Sequence, residues 1–508
     1  MNEREKLLDE AGPVISSNDV PLLRASRAGR LQAVPCSTGR YRVDEGVDPH
    51  ALIWTEESMA DAFDLVVVGT GAGGSTPASR CRAAGWSVAV VDDQPYGGTC
   101  AVRGCDPKKV LVGATEAADL HGRLAGYGIS GEAWIDWPAL MRFKRTFTEP
   151  VPPKRKAAFE EAGVVALDGI ARFVAEDRLV VGEREIEARH VVLAVGAAPV
   201  PLGIPGEEHV RTSTDFLELD DLPARIAFVG GGYIAFEFAH ISQRAGAQAV
   251  VLGRGTPLAH FDSDLVERLV ARTREIGVDV RTGTTVTGVE RTADGFRVHT
   301  EGPGGTGVVA VELVVHAAGR APKLGGLDLD RGNVRADARA GIAVNEYLQS
   351  VTNPRVYATG DAVLPAGSLP LTPVAAHEGA LVASNLLHGN TKRPDYRGVP
   401  SVVFTVPPLA SVGLTPAEAR DLGIDVRVQV EDTGSWYTNR RVREPAGMTK
   451  IIVDTRTDRV LGAHLLGPHA EEVINLFALA VRHGLTATDL RHMIYAYPTH
   501  ASDVVYML

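Results

Sequence analysis

The sequence predicts an α/β protein: two Rossmann-like dinucleotide-binding domains followed by a smaller α+β domain at the C-terminus. Three observations predict it. Residues 64–92 read as strand, glycine turn, helix and strand, and residues 226–252 repeat that order. Beyond about residue 396 the pattern changes to paired strands around 449–466 and one helical stretch at 470–483. A chain of 508 residues also exceeds one hydrophobic core and calls for about two to four domains.

Composition narrows the class. With 45% hydrophobic residues, 23% charged and 54 glycines, the chain reads as soluble, globular and rich in tight turns. A formal net charge of −11 gives no general attraction to nucleic acid or to an anionic membrane. The opening Met-Asn-Glu-Arg-Glu-Lys is too polar for a secretory signal, and no apolar run approaches the roughly 18 residues of a spanning helix. Four cysteines do not make a disulfide framework in so long a chain. These features predict a cytoplasmic protein without membrane or nucleic-acid partners. Residues 1–61 show no clear periodicity and carry a lone Cys36, with Met59 offering an alternative start; they are expected to form an extension without fixed structure.

The first unit begins with an apolar strand at 64–68 and turns through Gly69-Thr-Gly71-Ala-Gly73-Gly74 into a helix. Gly69, Gly71 and Gly74 have the spacing that lets backbone approach a pyrophosphate at a helix N-terminus. Asp92, ending the next strand about 20 residues on, is placed to accept a ribose hydroxyl.

Residues 95–110 then read Pro-Tyr-Gly-Gly-Thr-Cys-Ala-Val-Arg-Gly-Cys-Asp-Pro-Lys-Lys-Val. Cys100 and Cys105 are close enough to form a disulfide with little loop-closure cost, and a following helix N-terminus favours a thiolate. Two buried cysteines, or half of a metal site, fit the spacing as well. No second Cys or His pair follows to complete a metal set, and no metal is assigned.

The second unit runs from a strand at 226–229 through Gly230-Gly231-Gly232-Tyr233 into a helix, and its next strand ends Leu252-Gly253-Arg254. Two such units imply two dinucleotides. An acid at that strand end would suit NADH; Arg254 suits the 2′-phosphate of NADPH, with His260 as a weaker second candidate.

The cysteine segment resembles that of the class I flavoprotein disulfide reductases, the group of glutathione reductase, dihydrolipoyl dehydrogenase and mercuric reductase. Their usual form is Gly-Gly-Thr-Cys, four residues, Cys, one residue, Pro. The likeness extends from about Asp64 to the C-terminus in the family's order. The 191–206 stretch resembles the exit from the first nucleotide domain, and 314–322, with Arg320, the return from the second. The 352–363 stretch resembles the second FAD motif, with Gly360 and with Asp361 directed at the ribityl chain. Leu371-Thr372-Pro opens a helix aimed at the flavin, and residues from about Tyr396 resemble the dimerisation domain. The implied plan is a FAD-binding domain at 62–214, an NAD(P)H-binding domain at 215–334, a second FAD part at 335–395 and a dimerisation domain at 396–508.

The resemblance implies FAD and NADPH as cofactors, a homodimer, and a small-molecule acceptor. NADPH reduces FAD, and flavin reduces a Cys100–Cys105 disulfide. Cys105 lies against the flavin, with Gly98 and Thr99 beside it, and Cys100 attacks the substrate disulfide. Lys108 matches the lysine beside flavin N5, Glu237 its paired acid, and Tyr233 the aromatic that covers the flavin.

Three departures qualify this. Where relatives carry His-Pro-Thr and a glutamate, this chain has Tyr497 and Ser502, so His500 and Asp503 are expected to act as a displaced acid–base pair that serves the other subunit's cysteines. The arginines that hold glutathione disulfide correspond to Ser79, just before Arg80, and to Ala380, which disfavours that substrate. Asp106 follows Cys105 and should raise the thiol's pKa unless a cation such as Arg103 neutralises it. Tyr497 also resembles mercuric reductases, although the chain ends Val-Val-Tyr-Met-Leu508 without their paired cysteines. Mercuric reductase and an NADPH:quinone or other acceptor reductase are therefore the alternatives. Dihydrolipoyl dehydrogenase and a non-enzymatic FAD-binding redox sensor are less favoured.

Overall fold

The computed structural model describes residues 22–25, 31–34 and 61–508 apart from 364 and 366. Two compact units divide the chain, Met1–Met59 and Ala60–Leu508. In the first, strands Leu22–Ala25 and Leu31–Val34 pair antiparallel, an element the sequence did not announce. Cys36 and Met59 lie outside the described residues, as does most of the 1–61 extension.

The second unit begins with the first nucleotide fold. Strands Val165–Asp168, Val88–Asp92, Asp61–Val68 and Arg184–Leu193 lie side by side in parallel, and Val356–Ala358 adds to Arg184–Leu193 from far along the chain. Val88 to Val91 are each at most 1% exposed. A strand buried on both faces reads as a continuous apolar run, as Val-Ala-Val-Val does. Helix Ala72–Ala83 covers one face and packs against Thr372–His388, so the two most distant parts of this fold meet directly.

The second fold repeats the plan with four parallel strands in the order Asp279–Thr282, Gln248–Gly253, Arg225–Val229, Leu313–His316. An antiparallel sheet of Thr285–Thr292, Gly295–Gly302 and Gly305–Val311 is inserted before the last of them. Helix Tyr233–Arg244 buries nearly its whole middle, including Glu237. Gly230, at φ +135°, ends the strand where a Cβ would stand 2.0 Å from the Ala317 carbonyl oxygen, so only glycine lets the chain turn into this helix.

The C-terminal part is a five-stranded antiparallel sheet, Ser401–Val403, Leu409–Gly413, Val460–Leu466, Met448–Asp454 and Val426–Asp432, against which helix Ala470–His483 packs. Ile451, Ala463, Ile474 and Phe477 are fully buried between them. The predicted mixed α/β class is the observed one.

Candidate redox and nucleotide site

The first cradle forms where strand Asp61–Val68 hands over to helix Ala72–Ala83. Gly71 caps that helix without any side-chain hydrogen bond, leaving its first backbone N–H groups for an anion. Gly98, at φ +76°, lies so close that a Cβ on it would stand 2.5 Å from the Gly71 Cα. Gly98 must lack a side chain for the cradle to stay open. An uncapped helix end beside two bare backbones fits a dinucleotide pyrophosphate.

Asp92 ends its strand as expected, but its carboxylate has partners that the sequence did not reveal. Oδ2 accepts the Thr70 N–H at 2.8 Å and the Thr70 hydroxyl at 2.6 Å, and Oδ1 accepts the Gln94 N–H at 3.0 Å. Any ribose hydroxyl takes the remaining lone pairs. Across the fold, Gly360 and Asp361 share a short 3-10 turn, and burial raises the Asp361 pKa. The turn is held by Glu378, fully buried, which accepts the Gly360 N–H at 2.6 Å and the Tyr396 hydroxyl at 2.6 Å. Glu378 and Thr70 carry no motif that would have singled them out.

In the second cradle Gly232 caps helix Tyr233–Arg244, again without a side-chain bond. Arg254 and His260 are exposed just beyond strand Gln248–Gly253. Among the described residues no carboxylate forms an ion pair with Arg254. Arg320 is less free: it donates to the Ala197 carbonyl and belongs to the short strand pair Arg320–Pro322 with Ala197–Pro199. Its charge bears on Asp361, Arg103 and Tyr233, so it stands between the two cradles.

Cys100 lies in the short helix Gly98–Arg103, and Cys105 opens helix Cys105–Leu124 after a break at Gly104. Both are free thiols. The Cys105 thiol is pushed below its ordinary pKa. The neighbouring Cys100 contributes most, with help from Thr372 and the Lys108 charge against the opposing effects of burial and Asp106. Cys100 is held high by the neighbouring Cys105 and then by burial. In the reduced pair the negative charge is therefore favoured on Cys105 over Cys100. The helix N-terminus adds to this. Thr372, expected at the flavin, has its hydroxyl 3.7 Å from the Cys105 sulfur.

Asp106 disfavours both thiolates, as expected, and its Oδ1 accepts the Cys100 S–H at 3.9 Å. Arg103 does not neutralise it, which corrects that expectation. The charges acting on Arg103 are those of Asp92, Asp93 and Arg320, so its guanidinium serves the end of strand Val88–Asp92 instead. Lys108 is the cation that serves Cys105. Its ammonium lies 2.9 Å from Glu237 Oε1, with the two side chains 12% and 3% exposed. The same oxygen accepts the Phe404 N–H at 2.8 Å. Tyr233, half exposed, starts the helix that carries Glu237.

The C-terminal expectation needs a second correction. His500 and Asp503 share one 3-10 turn, yet they do not pair. Asp503 accepts the Thr438 hydroxyl. His500 faces His469 instead, with ring centroids 4.8 Å apart, and its Nε2 is buried without a partner. Burial, then the charges of His469 and Arg441, lowers its pKa to about 4, opposite to the rise expected from a carboxylate neighbour. Ser502 is taken up by the Thr499 backbone, and Tyr497 is 80% exposed. Ser79 and Arg80 lie exposed on helix Ala72–Ala83, and Ala380 is half-buried on Thr372–His388.

With this geometry in place, comparison with known proteins is specific. A family model described as pyridine nucleotide-disulphide oxidoreductase matches residues 63–379, and the dimerisation domain of that family matches residues 399–508. Glutathione reductase from Burkholderia cepacia is 35% identical over 450 residues, covering 87% of this chain and 98% of that protein. Mercuric reductase from Bacillus cereus is 32% identical over 447 residues, covering 87% and 70%. The Cu(II) complex of the HOCl-induced flavoprotein disulfide reductase RclA from Escherichia coli superposes with a TM-score of 0.78 at 27% identity, covering 88% of this chain and 99% of that one.

Proposed function

Because this chain belongs to the pyridine nucleotide-disulphide oxidoreductase family and is an FAD-binding disulfide oxidoreductase, we propose that it carries electrons from NADPH through Cys105 and Cys100 to a small disulfide, as a homodimer. The observation that carries this reading is the position of Lys108. One ammonium, held by Glu237, favours the Cys105 thiolate. Bound FAD supplies the two-electron acceptor between nucleotide and sulfur. Gly71 and Gly98 would cradle its pyrophosphate, Asp92 its ribose and Asp361 its ribityl chain. Arg254 would take the 2′-phosphate of NADPH.

The chemistry of the sulfur pair then follows. As Cys100 attacks a substrate disulfide, its proton passes to the neighbouring Cys105 thiolate. A Cys100–substrate disulfide forms and one substrate thiolate leaves. That thiolate takes the proton from Cys105. Cys105, again a thiolate, attacks the Cys100 sulfur, closes the Cys100–Cys105 disulfide and releases the second thiolate, which water protonates. The pair thus holds its own proton for the first leaving group, which relieves His500 of that role. The exposed Ser79 and half-buried Ala380 offer no cations for a tripeptide's carboxylates, which favours a disulfide smaller than glutathione disulfide.

The test is NADPH consumption by purified protein with small disulfides, glutathione disulfide, Hg(II) and quinones as acceptors. Turnover of a small disulfide that is abolished by Cys100→Ala supports the proposal. Acceptor reduction that survives Cys100→Ala would mean that the cysteines are not on the path.

A further inference from the structure

We propose that Phe404 is a positioning residue for Lys108: its ring, with the Glu237 carboxylate, fixes the place of the ammonium in the first turn of helix Cys105–Leu124. This rests on the reading of Cys105 as the thiolate of the reduced pair. Phe404 comes from the C-terminal part of the chain, nearly 300 residues beyond Lys108 in sequence. Its ring centroid lies 4.1 Å from Lys108 Nζ. Lys109 Nζ lies 4.8 Å from the same ring while pairing with Glu116 at 3.1 Å. An aromatic face attracts cations electrostatically, and the attraction strengthens where water is scarce, as around the 12%-exposed Lys108 side chain.

The ring is held in place from behind. Glu237 Oε1 receives both the Lys108 ammonium and the Phe404 backbone N–H, so carboxylate, cation and ring form one unit. One turn further along the same helix, His240 Nδ1 accepts the Val406 N–H at 3.1 Å. Helix Tyr233–Arg244 therefore grips the Phe404 segment at two points. Without the ring, Glu237 would still attract Lys108, but from one side only, and the long side chain could swing away from Cys105. The charged and titratable groups facing Cys105 are Cys100, Asp106 and Lys108, with Tyr233 across the cleft. Of these, only Lys108 opposes Asp106 with positive charge.

A packing role alone predicts that leucine substitutes well, because Phe404→Leu keeps the N–H to Glu237 and most of the apolar contact. A positioning role predicts otherwise. The experiment follows alkylation of Cys105 by iodoacetamide against pH in the reduced holoenzyme, with peptide mass spectrometry reporting that site alone. It compares wild type, Phe404→Leu, Phe404→Trp, Lys108→Met and a variant with a fluorinated phenylalanine at position 404. Fluorination weakens the ring's attraction for cations at nearly constant shape, so it answers the question even if Phe404→Leu does not fold. Phe404→Leu and the fluorinated ring should raise the Cys105 midpoint by about half to one pH unit, and Phe404→Trp should keep it near wild type. Lys108→Met should raise it at least as far. If Lys108→Met shifts the midpoint while neither Phe404→Leu nor the fluorinated ring does, the role of Phe404 is overturned and the reading of Lys108 stands. If Lys108→Met shifts nothing, the reading of Lys108 itself fails.

Discussion

The carboxylate of Asp503 accepts the hydroxyl hydrogen of Thr438, and among the described residues no hydrogen bond joins it to His500 three residues before it. His500 is left against His469 with its Nε2 buried and unpartnered. A neutral imidazole is a poor general acid. His500→Ala should therefore slow disulfide turnover by less than about threefold, against the 10²–10⁴-fold typical of a lost general acid. Steady-state kinetics of His500→Ala beside Tyr497→Phe decides it. A hundredfold loss in His500→Ala would restore the displaced acid–base pair.

The same histidine gives a pH prediction. In the unfolded chain it binds a proton below about 6.5. In the folded chain it does so only near 4, because burial opposes its charge. Between these values the unfolded state binds more protons, so stability rises with pH across that window and falls on acidification through it. His500→Gln should flatten this slope, as read from denaturant midpoints at pH 4.5, 5.5 and 6.5, each about one unit apart across the window. An unaltered slope would show that His500 is protonated alike in both states.

Cys100→Ala should leave flavin reduction by NADPH nearly intact and depress disulfide turnover by about a thousandfold or more. It should also raise the Cys105 pKa, because the neighbouring Cys100 is the largest cause of its depression. Anaerobic stopped-flow reduction of the flavin and alkylation of Cys105 against pH measure the two effects. A Cys105 midpoint that stays put would mean that Lys108 and the helix end suffice by themselves.

Gly98→Ala places a Cβ 2.5 Å from the Gly71 Cα at a backbone angle that alanine resists. The cradle must open, which costs at least about 1 kcal/mol and weakens FAD by roughly fivefold or more. The flavin-to-protein absorbance ratio after dialysis is the readout. Full retention of flavin would place the pyrophosphate elsewhere.

Arg254→Ala removes an exposed guanidinium that no carboxylate among the described residues holds. A charge-assisted contact to a phosphate is worth about 1.5–3 kcal/mol, so the NADPH-to-NADH ratio of kcat/KM should fall by roughly 10- to 100-fold. If the ratio survives there and falls in His260→Ala, His260 binds the phosphate.

Parts of the site were legible because they are local demands on the backbone. Gly69, Gly74, Gly98 and Gly230 stand where a side chain would block a close backbone approach, and such demands leave a residue-type signature within a few positions. The spacing of Cys100 and Cys105 is equally local. Lys108 and Glu237 look like ordinary helix charges by themselves; only their resemblance to a known pattern picked them out before the 2.9 Å contact was seen.

What the sequence determined alone was the order of strands and glycine turns, the two nucleotide folds, and two cysteines at a helix start. Each of these is encoded by neighbours along the chain. The tertiary structure decided which side chains meet: Thr372 with Cys105 across 267 residues, Phe404 with Lys108, Asp503 with Thr438, and Arg103 turned toward Asp92 rather than Asp106. Those pairings depend on where helices cross and which rotamer the packing leaves open. Spacing along the chain carries no record of either, and the shift in each thiol and imidazole pKa follows from that packing.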